Sequence, residues 1–301
     1  MQKIGRPSQA TFKTVLSQNQ IINCPVTVAD AKHAAFIYGP DLASINGKRV
    51  RKPPKHVPVV VLIPLPSSIA KFHSTITLCV DFFFINRNPF FHSIGRNIKF
   101  RTVHPTQNRK EPTILICLKD ITSIYNRRGF TITNLHGDRE FDCIRINVGT
   151  IHVHIAAPGE HVLEIEQSIR TMKERVQATV QGLLYRYIPK IMIKGMVRDS
   201  IIQLNVFPPS DGISTTMSPQ TIVTGLPNID YNKLKIRTGL YAQVQINASI
   251  TNTPKAPSIG AIALYQADEK GSWYFMSLET GERLHSNHWV ENQLVTMSSE
   301  E

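Results

Sequence analysis

Cysteine is scarce in this chain: Cys24, Cys79, Cys117 and Cys143 are the only four in 301 residues, and no two form a CxxC pair. Such spacing excludes a dense disulfide framework and a finger-type zinc site, and it suits a reducing intracellular compartment. Long hydrophobic runs are missing too. The longest, Val57 to Pro66, is short and broken by prolines, which argues against a membrane span. The opening MQKIGRPSQATFK lacks the apolar stretch of a signal peptide. Acidic residues are few, 22 against 34 lysines and arginines, giving a formal net charge of +12. The expectation is a soluble protein with a polyanionic partner.

What remains is a folding composition. With 42% hydrophobic and 19% charged residues the chain is not wholly disordered, and its length suggests two or more units. Basic charge is concentrated early, with nine cationic and two acidic side chains in the first 60 residues. Lys48, Arg49, Arg51, Lys52 and Lys55 stand among Gly47, Pro53, Pro54 and Pro58. That density of helix breakers predicts an extended basic linker, preceded by a short helix near Ala29 to Ile37.

From Thr75 the pattern changes. TITLCVDFFF, ending at Phe84, is a near-continuous run of β-formers with one carboxylate, Asp81, inside it. Further strands are expected at Pro89 to Ser93 and Asn97 to Val103, across a turn at Gly95-Arg96. Helical spacing follows from Pro112 to Arg128, with Ile114, Leu118, Ile121 and Tyr125 on one side and Gly129 as the stop. Alternation returns at Phe130 to Leu135, Glu140 to Val148 is ambiguous, and Ile151 to Ala156 is another strand. The stripe Ile165, Ile169, Met172, Val176 marks a long helix within Glu160 to Leu184. A last helix, Pro189 to Leu204, carries Lys190, Lys194 and Arg198 on one face, a pattern that also suits a simply solvated surface. The result is an α/β fold of mixed sheet direction. Short strands at Leu240 to Ile246, Ser258 to Tyr265, Trp273 to Leu278 and Arg283 to Val290 predict a small β-barrel whose core Trp273 and Trp289 would fill.

A carboxylate inside a β run is costly without a partner, so Asp81 needs an explanation. Asp138 follows a second strand and Glu166 lies on the long helix; if the three converge, their repulsion calls for a hard cation such as Mg²⁺ or Mn²⁺. Taken singly, each has a simpler reading: Asp81 at an edge or turn, Asp138 as a helix cap, Glu166 paired with Arg170. Lys173 lies seven residues after Glu166, on nearly the same helical face. His152 and His154 alternate on what reads as one exposed strand face.

In order and context, TLCVDFFF, HGDREF and the ExxxRT of Glu166 to Thr171 resemble the integrase core of Ty1/copia-type retrotransposon Pol polyproteins. Gly47-Lys48 in SINGKRVR resembles the basic element before that core, and SLETGERLHSNHWVENQ the β-rich tail. The resemblance implies an RNase H-like mixed five-stranded sheet flanked by helices over 74–206, a basic segment and linker over 1–73, and a linker over 207–233. A small β-barrel-like domain over 234–295 and a tail over 296–301 would complete the chain. It further implies metal-dependent DNA 3′-end processing and strand transfer, with Asp81, Asp138 and Glu166 as catalytic residues and as ligands of Mg²⁺ or Mn²⁺. Glu164 is a rival for the third ligand. Lys173, Arg170, Lys48, Arg49, Arg51 and Lys52 would contact DNA, the partners would be element ends, target DNA and further copies of the chain, and the location cytoplasm and nucleus. The alternative is a catalytically inactive nucleic-acid-binding remnant. His33 and Cys24 have no partners at the ligand spacing of a preceding zinc domain.

Overall fold

The computed structural model describes residues 4–39, 61–157, 162–230, 234, 236–245, 258–267 and 271–291. The chain divides into two compact units, Val57–Gly239 with Leu264–Gly271, and Met1–His56 with Leu240–Ala263 and Ser272–Glu301.

In the first of these, β1 (Thr75–Ile85) turns directly into β2 (Asn88–Gly95), and the two pair antiparallel. The two-residue connection has both φ angles positive, 47° at Asn86 and 63° at Arg87. That geometry matches the twist of the flanking strands; Asn tolerates it well and Arg at some cost. β3 (Arg101–Pro105) adds to β2, also antiparallel. The helix Glu111–Asn126 then carries the chain over the sheet, as a parallel return requires, and Gly129, at φ 80°, ends the excursion. β4 (Thr131–Gly137) and β5 (His152–Ile155) run parallel to β1. The sheet order is β3-β2-β1-β4-β5, which places β1 at the centre.

Alternation along β1 divides its side chains between two layers. Ile76, Leu78, Val80 and Phe82 enter a core shared with Ile114, Leu118, Ile121 and Tyr125 of the Glu111–Asn126 helix. The opposite face, bearing Cys79, Asp81 and Phe83, is covered by the helix Leu163–Gln181, whose Ile165, Ile169, Met172 and Val176 are buried. Each such side chain contributes about 1.5–3 kcal/mol on leaving water, so this helix is firmly seated along its apolar stripe. The helix Lys190–Asn205 lies beside it and covers β3. There the Asn205 side chain accepts from the Arg101 N–H at 2.9 Å and donates to the Arg101 carbonyl at 2.8 Å, so it takes the place of a neighbouring strand. Both faces of a mixed five-stranded sheet are thus flanked by helices, as expected.

Three short elements in this unit were not expected from sequence: the helices Ser67–Phe72 and Pro219–Thr224, and a 3₁₀ turn at Arg139–Ile144 in the ambiguous stretch.

In the other unit, the helix Val28–Tyr38 starts at a reciprocal cap, Thr27 and Asp30 each bonding the other's backbone N–H. A preceding helix, Gln9–Ser17, capped by Ser8, lies in what reads from sequence as linker. The strands β6 (Tyr241–Gln245), β7 (Ser258–Gln266, of which Leu264–Gln266 are counted with the first unit), β8 (Trp273–Ser277), β9 (Arg283–Ser286) and β10 (Trp289–Glu291) take the order β10-β6-β7-β8-β9. Among the described residues this sheet is open rather than a closed barrel. The single strand expected from Arg283 to Val290 is two, because the Ser286 hydroxyl accepts from the His288 N–H at 3.1 Å and turns the chain. Trp273 is buried, and Trp289 packs on Phe275 with ring centroids 5.5 Å apart.

Candidate carboxylate site

Asp81 lies on the central strand, not at an edge or turn. Its Oδ1 accepts from the Phe82 N–H at 2.6 Å. Even so, its pKa is pushed up to about 7, first by burial and then by the negative charges of Asp138, Glu140 and Glu166, against which the Phe82 N–H works. Three segments therefore deliver carboxylates into one electrostatic environment. Asp138 arrives at the end of β4, whose parallel register sets His136 beside Cys79, two residues before each aspartate. Asp138 occupies the cap position of the 3₁₀ turn, but its side chain makes no capping hydrogen bond, so the helix-cap alternative does not describe it.

HGDREF has a packing logic. A Cβ on Gly137 would stand 2.7 Å from Phe141 Cδ2 and 3.0 Å from Val80 Cγ2, so only glycine lets the buried Phe141 ring fold back under the strand end. Phe141 stacks on Phe82 at 5.7 Å, which anchors the turn bearing Asp138 and Glu140 to β1. Glu140 is a member of the group that sequence reasoning did not single out; its position two residues after Asp138 was the available signal. Burial raises its pKa despite Arg109, whose Nη1 lies 2.8 Å from its Oε2.

Glu166 lines a cleft of about 550 Å³ together with Asp81, Phe83, Phe84, Arg170 and Lys173. Lys173 Nζ stands 5.9 Å from the centre of the Phe83 ring, within reach of a cation–π contact that directs it along the cleft wall. Arg170 Nε donates to Glu174 Oε1 at 3.1 Å, one turn on. Glu164 faces another way. Its Oε1 is 2.8 Å from Arg96 Nε, in a second cleft of about 530 Å³ where the rings of His136 and His154 lie 5.0 Å apart. His152 and His154 are both exposed on β5.

Among the described residues no three His, Cys, Asp or Glu side chains stand close enough together to hold a metal ion. The donor chemistry nevertheless fits a hard divalent cation, since the gathered groups are carboxylate oxygens, and burial together with the charges of Asp138, Glu140 and Glu166 raises the proton affinity of Asp81. Lys48, Arg49, Arg51, Lys52 and Lys55 lie outside the described residues. On the Lys190–Asn205 helix the Arg198 guanidinium sits over the Tyr265 ring, 5.1 Å from its centre. No described helix is long and apolar enough to cross a membrane.

No protein-family model matches the chain, and no curated protein matches it. Among solved structures, the catalytic core domain of BIV integrase is similar at 17% identity and a TM-score of 0.37, over 49% of this chain and 92% of that one. A likeness of that degree leaves the chemistry to be read from the side chains themselves.

Proposed function

We propose that this chain is the integrase region of a Ty1/copia-type retrotransposon Pol polyprotein, an RNase H-like enzyme that processes DNA 3′ ends and joins them to target DNA. The observation that carries this reading is Asp81: a central-strand carboxylate made hard to ionise by burial and by Asp138, Glu140 and Glu166. Such a group is held ready for a cation rather than for a salt bridge. Asp81, Asp138 and Glu166 would hold Mg²⁺ or Mn²⁺, which when bound stabilises charge developing on phosphate oxygens and on the leaving oxygen. Lys173 and Arg170, along the same cleft, would bind the phosphates of a strand lying against Phe83 and Phe84. The core over 74–206, basic linker and β-rich tail would serve DNA and self-association in cytoplasm and nucleus.

The test is joining of short duplex ends to target DNA with Mg²⁺ or Mn²⁺. Joining should require the metal and vanish in Asp138→Asn while salt-sensitive DNA binding persists. A second reading, a nucleic-acid-binding remnant without catalysis, is favoured by the lack of a three-ligand group among the described residues. DNA binding without joining under any metal condition would decide for it.

A further inference from the structure

Glu166 is the fourth residue of the Leu163–Gln181 helix, in the turn where helix ends fray, and the cap position, Val162, offers no side-chain hydrogen bond. The apolar stripe of this helix gives adhesion but not direction, because hydrophobic contact is non-directional. Two residues beyond Glu166, however, Ser168 is buried at 3% exposure, and its hydroxyl meets two side chains from the sheet. His92 Nε2 lies 2.8 Å from Ser168 Oγ, and His92 Nδ1 lies 2.8 Å from the Thr102 carbonyl oxygen. That carbonyl can only accept, so Nδ1 carries the proton and Nε2 accepts from the serine hydroxyl. The hydroxyl oxygen in turn accepts from Arg101 Nε at 3.1 Å. Both ring nitrogens of His92 and the Ser168 hydroxyl thus have partners.

His92 is also the residue directly opposite Asp81 in the β1–β2 ladder. One imidazole therefore touches the helix that bears Glu166 and flanks the strand position that bears Asp81. We propose that His92 and Ser168 are positioning residues of the carboxylate site: their hydrogen bond fixes the rotation and height of the helix so that Glu166 faces the Asp81 cleft. The proposal rests on the carboxylate reading above. Neither residue reaches the cleft, and each acts through Glu166.

The test is Mn²⁺ titration of the full chain, followed by the electron paramagnetic resonance of the free ion, for the parent, Ser168→Ala, Ser168→Cys and Asp138→Asn. Removing an outer partner of a metal ligand costs about tenfold or more in metal affinity. The half-saturating Mn²⁺ concentration should rise from parent to Cys to Ala, well below any melting temperature, where a merely structural contact would leave it unchanged. If the Ala variant does not fold, the nearly isosteric Cys variant carries the same reading. Equal midpoints in parent and both Ser168 variants, with Asp138→Asn weakened, would overturn the positioning role and leave the proposed function standing. Equal uptake by parent and Asp138→Asn would instead overturn the proposed function. Amide hydrogen exchange then decides the positioning role alone: faster exchange confined to residues 163–170 in Ser168→Ala supports it, and unchanged rates there refute it.

Discussion

Glu164 and Glu166 stand two residues apart on one helix and face different clefts, Glu164 bound to Arg96 Nε at 2.8 Å and Glu166 lining the cleft of Asp81 and Lys173. Two residues turn a helix by about 200°, so adjacent carboxylates of this kind divide between neighbouring sites. The rivalry for a third ligand can thus be settled by paired substitutions. Glu166→Gln should diminish the rise in melting temperature that Mg²⁺ or Mn²⁺ gives the parent. Glu164→Gln should leave that rise intact and cost only about 0.2–1 kcal/mol, the worth of a part-exposed ion pair. A metal response lost with Glu164 and kept without Glu166 would reverse the assignment.

Stability should depend on pH through Asp81. Its pKa, about 7 in the fold against an ordinary 3.8, means that its contribution is complete below its unfolded value and is lost as pH rises toward 7. Asp199, pushed up to about 6 by burial, adds to the same decline. His92, pushed down to about 4 by burial, acts oppositely, and its contribution is lost as pH falls from 6.5 toward 4. The difference in urea midpoint between parent and Asp81→Asn isolates the first of these. Asp81→Asn should gain on the parent between pH 4 and 8 by on the order of 1–2 kcal/mol, allowing for its partial exposure. A flat difference would sink the claim that burial and the neighbouring carboxylates hold the Asp81 pKa above its ordinary value.

Gly137→Ala should destabilise the chain by about 1–3 kcal/mol, because the new methyl meets Phe141 at 2.7 Å and a packed core yields poorly. Gly271→Ala, where no atom lies within 4 Å of the added Cβ, is the comparison. Its cost should come only from its φ of +59°. Chemical denaturation of the two variants measures both effects, and a Gly137→Ala cost no larger than that of Gly271→Ala would show that Phe141 can move aside.

Lys173→Ala should weaken binding to DNA of unrelated sequences and reduce the slope of log K against log salt by about 0.9, the effect of one lost phosphate contact. Replacing Lys48, Arg49, Arg51, Lys52 and Lys55 together by Ser should flatten that slope further. An unchanged slope in the five-fold variant would identify that segment as solvated linker.

Much of the sheet was legible because its signals are local. A β-run with a single carboxylate gave β1, a glycine after a helical stripe gave the end of the Glu111–Asn126 helix, and alternation gave β4 and β5. Short elements left weaker traces, since six residues such as Pro219–Thr224 hold less than two helical turns. Glu140 was hidden by its pairing with Arg109, 31 residues away, and the role of His92 by Ser168, 76 residues away. A histidine after Phe90-Phe91 reads as one more half-buried strand residue until the helix above it is known.

The Asn86–Arg87 turn has a consequence for how this sequence can vary. Because strand side chains alternate with a period of two, the number of residues in that turn decides which β2 residue stands beside Asp81. Many single substitutions there, glycine above all, would leave the pairing as it is. Loss or gain of one residue would slip the ladder, sending His92 toward the apolar layer and a phenylalanine or serine toward the helix. The turn is therefore tolerant in chemical identity and intolerant in length, so insertions and deletions at this point should be far more damaging than point changes.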